Sequence, residues 1–156
     1  MIGSHCTRRT LLKTATGAAA TVTGLAAFSG SATAHFPPEL SIDIRPDSPQ
    51  NVVNPRSDGV VTVAVLQTDT FDPTREDVRY RFGAPDVLSG GAGAMHRSSH
   101  VRDVDGDGCD DLVLQFDLGD AGFDGDESQG ELRWDRDETR QHGYSGTDVV
   151  RVVGRR

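Results

Sequence analysis

Lysine is almost missing from this chain. Of 156 residues only Lys13 is lysine, and every other basic side chain is arginine. Cysteine is nearly as scarce, with Cys6 and Cys109 alone, and the aromatic residues are six Phe, two Tyr and one Trp. Each shortage excludes something. A formal net charge of -8 argues against nucleic acid and against an anionic membrane surface as partners. Two cysteines cannot build a disulfide framework. No Gly-x-Ser-x-Gly elbow is present, and Ser98-Ser99-His100 has no acid tied to it by any motif, so no enzymatic activity is expected. The longest weakly apolar run, Thr14 to Phe28, is interrupted by Gly17 and Gly24. It falls short of the roughly 20 strongly apolar residues that a membrane span needs.

That run has a better explanation. Thr7-Arg8-Arg9-Thr10-Leu11-Leu12-Lys13 precedes it and resembles a twin-arginine export signal, and Ala32-Thr33-Ala34 follows as a small-x-small cleavage site. The expected organisation is a cleaved signal peptide over 1–34 and one domain over 35–156. That domain would be secreted, extracellular or at the cell surface, with no membrane insertion after cleavage. Loss of Arg8, Arg9 and Lys13 takes the formal charge from -8 to -11. Nineteen Asp and five Glu then face thirteen Arg. This Asp-heavy, lysine-free surface resembles that of proteins from salt-loving microbes, where a Debye length of about 3 Å at 1 M salt makes the self-repulsion tolerable. Cys6 would leave with the signal peptide, making Cys109 a lone thiol with carboxylate neighbours, which suppress its reactivity.

The stretch with most chemical content is Asp103-Val104-Asp105-Gly106-Asp107-Gly108-Cys109-Asp110-Asp111. Carboxylates fall at positions 1, 3, 5 and 9, with glycine at position 6. Calcium takes six to eight oxygen ligands, and an alternating Asp ladder around a tight glycine turn supplies them. The expected ligands are Asp103, Asp105, Asp107, the backbone carbonyl of Cys109, and Asp111 directly or through water. These nine positions match an EF-hand loop, but position 12 is Leu114 where an EF-hand needs a bidentate Glu. Leu112, Leu114 and Phe116 alternate with Val113, Gln115 and Asp117, so the loop runs into a strand rather than a helix. The loop is similar to the Asp-rich loops of thrombospondin type 3 repeats, dockerins and integrin-type β-propeller repeats. Asp117, Asp120, Asp124 and Asp126 are the candidates to complete the shell. The plainer alternative is a solvated acidic turn.

The rest of the chain reads as β structure. Ser41 to Arg45 alternates and stops at Pro46. Val60 to Leu66 is apolar on both faces, as a central strand is. Val78 to Phe82, Asp111 to Phe116, Glu131 to Trp134 and Asp148 to Val153 follow, with a weaker strand near Gln141 to Tyr144. Asp47 to Gly59 reads as a polar connection, Arg75 to Val78 as one helical turn capped by Thr74, and Gly83 to His100 as a mobile loop. The expected fold is all-β: an antiparallel, Ig-like β-sandwich of seven to eight short strands with long loops.

Ile42-Asp43-Ile44-Arg45-Pro46, Asn51-Val52-Val53-Asn54 and Gly59 to Leu66 resemble the segment written IDIKPGS-PN-IN-GVVPVAVLG. Phe71-Asp72, Arg81-Phe82-Gly83, the Asp loop with Leu112-Val113, and Gly146 to Val150 continue the likeness. The module it resembles occurs in secreted bacterial and archaeal proteins, often beside anchoring domains or calcium repeats. The resemblance implies an extracellular, non-catalytic β domain, with calcium-loop acids at Asp103, Asp105, Asp107 and Asp111. A cell-surface protein or polysaccharide is the implied kind of partner. The chain departs from that pattern at Asp47, Thr62 and Gln67.

Two other functions stay open at this level. Cleavage after Ala34 would make His35 the first residue, and an N-terminal His can hold copper through its amine and ring with a second His. His96, His100 and His142 are the available partners. Trp134 and Tyr144 can instead form an aromatic platform for carbohydrate.

Overall fold

The structure, a computed structural model, describes residues 35–154. The expected signal peptide over 1–34 lies outside the described residues. Nine strands and one short helix make up the described chain: β1 (Ser41–Ile44), β2 (Val52–Val53), β3 (Val60–Leu66), β4 (Tyr80–Gly83), α1 (Pro85–Ser89), β5 (Ala94–Arg102), β6 (Asp111–Asp117), β7 (Gln129–Asp135), β8 (Gly143–Val149) and β9 (Arg151–Val152). The all-β expectation holds. Among the described residues no helix is long and apolar enough to cross a membrane.

Seven strands form one antiparallel sheet in the order β1-β3-β6-β5-β4-β7-β8. Valine-rich β3 pairs with β1 on one side and β6 on the other, with Val61, Val63 and Val65 opposite Phe116, Leu114 and Leu112. All six of these side chains are buried. β-branched residues lose little by adopting an extended backbone and pack well on a pleated surface, which is why this run forms an interior strand.

β5 carries the sheet from one layer to the other. Ala94 and Met95 pair with β4, whereas His96 to Arg102 pair with β6, and the register shifts between His96 and Ser98. An extra residue at such a shift bends a strand and lets it serve two layers. Tyr80, Phe82, Leu132 and Trp134 line the second layer and join the same core as the β3 and β6 side chains.

The far edges then approach each other. The Leu40 amide donates to the Ser145 carbonyl at 2.9 Å, and the Ile44 amide donates to the Asp148 carboxylate at 2.9 Å. The sheet is therefore nearly barrel-like. The short β2 and β9 pair separately and in parallel, Val52 with Arg151 and Val53 with Val152. They depart from the otherwise antiparallel plan, and β2 lies in the stretch expected to be only a polar connection.

Other expectations need correction. Gly83 to His100 is not a mobile loop but holds α1 and most of β5. Leu88 anchors α1 in the core, and the β6 ladder holds β5 although its side chains from Arg97 on are exposed. No helix forms over Arg75 to Val78. Asp72, not Thr74, organises that turn, accepting from the Thr74 amide at 3.0 Å and the Thr74 hydroxyl at 2.6 Å. The last strands also shift: β8 begins at Gly143 and ends at Val149, where a break precedes β9.

Candidate metal centre

The Asp-rich stretch is the connection between β5 and β6, bracketed by the paired residues Arg102 and Asp111. Its shape follows from local hydrogen bonds. The Asp103 carboxylate accepts from the amides of Gly106 at 2.8 Å and Gly108 at 3.0 Å. Asp105 accepts from the Asp107 amide at 3.2 Å, and Asp107 accepts from the Cys109 amide at 2.8 Å. Short Asp side chains that bond two residues onward mimic backbone turns. Gly106 and Gly108 sit at φ 75° and 85°, left-handed values that side chains with a Cβ rarely adopt.

Asp111 plays a different part. It opens β6, is only 1% exposed, and accepts from two amides, Gln67 at 2.8 Å and Val104 at 2.8 Å. Gln67 follows the last residue of β3, so one buried carboxylate ties the end of β3 to the start of the loop.

Three carboxylates converge. Oxygen atoms of Asp103, Asp105 and Asp111 all lie within 4.8 Å of one another. Calcium holds oxygens at 2.3–2.6 Å, so two oxygens on one ion stand at most about 5 Å apart. The spacing therefore suits a single hard cation. An oxygen that accepts one amide keeps a second lone pair for a metal. Without a counter-charge, each pair of carboxylates at this range repels by about 1 kcal/mol in water, and by more where water is excluded.

Asp107 stands outside this group of three, with its carboxylate on the Cys109 amide. Cys109 is 3% exposed and, in the full chain, disulfide-bonded. The acids expected to complete the shell point elsewhere. Six residues of extended chain separate Asp111 from Asp117, about 20 Å, and Asp117 binds the Arg97 guanidinium at 2.8 Å. The segment after it is anchored at that far end, through the Leu118 amide on the Gly59 carbonyl and the Ala84 amide on the Ala121 carbonyl. Asp124 and Asp126 line a separate groove of about 440 Å³ with Asp86 and Glu127. Partial burial pushes the Glu127 carboxyl up, but the amides of Gly125 and Asp124 outweigh it and hold the group below the usual carboxylate range. Glu127 thereby shapes its own loop.

The histidines divide. His96 and His100 lie on β5, while His35 and His142 form an isolated parallel bridge beside the β7–β8 connection. Trp134 is in the core, 7% exposed, with its indole nitrogen donating to the Asp77 carbonyl at 2.8 Å. Tyr144 stacks on it at 5.6 Å, and Phe71 meets both rings edge-on. These aromatics pack one another rather than forming an open platform for sugar.

Compared with protein-family models, with curated proteins and with solved structures, the chain matches none. The site must be read from its own geometry. The residues that the loop spacing could not reveal are the amides of Gln67 and Val104, since they act through backbone atoms and carry no side-chain signal.

Proposed function

We propose that the protein is a secreted, non-catalytic β domain in which the Asp103–Asp111 loop holds one calcium ion as a structural staple. Its setting is a cell-surface or extracellular assembly, reached by twin-arginine export. The observation that carries this reading is the convergence of Asp103, Asp105 and Asp111 within 4.8 Å, with Asp111 buried at the joint between β3 and β6. Calcium there would neutralise three mutually repelling charges and lock the β5–β6 connection onto the end of β3. The remaining ligands would be loop carbonyls and water, because the acids beyond β6 are too far away. The twin-arginine leader and the module resemblance support the location, and the lysine-free surface supports a high-salt environment.

Calcium titration of the chelator-treated full chain in molar KCl tests the proposal. Saturable binding of one ion is expected, with a dissociation constant of about 10⁻⁴–10⁻³ M, as in other extracellular calcium modules. Asp103→Asn/Asp105→Asn should abolish it. Absence of saturable binding in the parent would sink the reading and leave a solvated acidic turn.

A further inference from the structure

We infer that His35 and His142 form a second metal site, one for a borderline transition-metal cation and copper(II) above all, separate from the acidic loop. The argument starts from the backbone. The His35 amide donates to the Gln141 carbonyl at 2.7 Å, and the His35 carbonyl accepts from the Gly143 amide at 3.3 Å. His35 is thus bracketed by the two neighbours of His142, which makes the two histidines direct partners in a parallel bridge.

Directly paired residues on adjacent strands project from the same face, with backbones about 4.8 Å apart. Both histidines are exposed, so neither ring is committed to the core. Metal–imidazole bonds of about 2.0–2.1 Å place two nitrogens on one ion roughly 3 Å apart when they are adjacent ligands. Ordinary side-chain rotation closes the strand spacing to that distance. Imidazole suits copper, nickel and zinc, and copper(II) is bound most tightly in that series, whereas hard calcium prefers the carboxylates of the other loop. The two sites therefore sort ions by ligand chemistry.

His142 is itself positioned through its carbonyl, which accepts from the Arg136 amide at 2.9 Å. Of the three histidines open as partners for His35 from sequence, the fold selects His142, since His96 and His100 belong to β5. The pairing uses backbone atoms of the described chain, so it holds whether or not the bond after Ala34 is cut. Cutting it would add the His35 amine as a third nitrogen.

The test is copper(II) titration of the full chain at saturating calcium, followed by electron paramagnetic resonance. One copper per chain with nitrogen hyperfine structure is expected. His35→Ala and His142→Ala should each weaken binding at least 10-fold, and His35→Gln should do the same. His96→Ala, His100→Ala and His5→Ala should leave it unchanged. Because the bridge is made by backbone groups, the Ala variants should keep the parent's melting midpoint in calcium without copper. Unchanged copper affinity in His142→Ala, a spectrum without nitrogen ligands, or loss of binding in His96→Ala or His100→Ala would overturn the assignment. A calcium titration that fails on the acidic loop would leave this result untouched.

Discussion

Two conservative changes separate what the acidic loop does for the fold from what it does for a metal. Asp111 is 1% exposed and holds two amides at 2.8 Å. In Asp111→Asn one oxygen remains as an acceptor, and the amide nitrogen that replaces the other faces a donor. A hydrogen bond to a charged group contributes about 1.5–3 kcal/mol, and an unsatisfied buried amide costs about 1–3 kcal/mol. Relief from burying a charge offsets part of this, so a net loss of about 2–4 kcal/mol is expected with no calcium present. Asp105 is exposed, and the 3.2 Å bond it accepts from the Asp107 amide is one that Asn can still accept. Asp105→Asn should therefore cost less than about 0.5 kcal/mol in chelator.

Added calcium should separate Asp105→Asn from the parent. At free calcium near 100 times the dissociation constant the parent gains about 2.7 kcal/mol. For a domain of this size 1 kcal/mol moves the melting midpoint by about 4 °C, so calcium should raise it by about 10 °C. Asp105→Asn should melt with the parent in chelator yet gain under about 3 °C from calcium. Asp111→Asn should melt about 8–16 °C lower even in chelator. Circular dichroism melts in molar KCl, where surface repulsion is screened, read all six conditions. A chelator midpoint for Asp111→Asn within about 2 °C of the parent would refute the role of the buried carboxylate at the β3 joint. A full calcium shift in Asp105→Asn would remove the three-carboxylate site.

Three further predictions rest on other parts of the fold. Arg81 and Asp135 form a buried bidentate pair at 2.8 and 2.7 Å, so Asp135→Asn strands a guanidinium and should cost about 3–5 kcal/mol by urea unfolding, while Arg81→Met/Asp135→Leu should recover most of it. Burial, then Asp148 and Asp47, raise the Asp43 carboxyl above its ordinary 3.8. A raised carboxyl favours the folded state only while protonated, so Asp43→Asn should stabilise at neutral pH and lose that advantage below about pH 3.8; equal stability of parent and variant across this range would contradict it. A Cβ on Gly143 would stand 1.7 Å from the Trp134 carbonyl oxygen, so Gly143→Ala must force β7 and β8 apart and should destabilise by at least about 2 kcal/mol in the same urea assay.

Elements built on their own side chains are legible in the amino-acid sequence. β3 announces itself as VVTVAVL, β1 by alternation up to Pro46, and β6 by Leu112, Leu114 and Phe116. Elements built on their neighbours are not. β5 is AMHRSSHVR, exposed over most of its length, and it is a strand because β6 offers it a ladder. α1 spans five residues with Leu88 as its only buried side chain, too short for any period to register. β2 exists only because β9 lies beside it. Polar sequence reads as loop, and tertiary pairing overrides that preference.

The candidate site divides along the same line. Asp103, Asp105 and Asp107 shape their turns through bonds that span two to five residues, so their spacing is legible as spacing. Convergence is another matter. Position 9 meets positions 1 and 3 because β6 begins at Asp111, and because the Gln67 amide, 44 residues earlier in the chain, fixes its carboxylate in the interior. The same strand carries Asp117 away to its opposite end, which removes the acids that look nearest in sequence. A hard cation in this loop would therefore report on strand register: it can bind well only when β3, β5 and β6 are all in place. That coupling would make a calcium ion bound there a staple for the sheet rather than for one loop. It also implies that slipping β6 by a single residue would abolish the site while leaving every ligand in the chain.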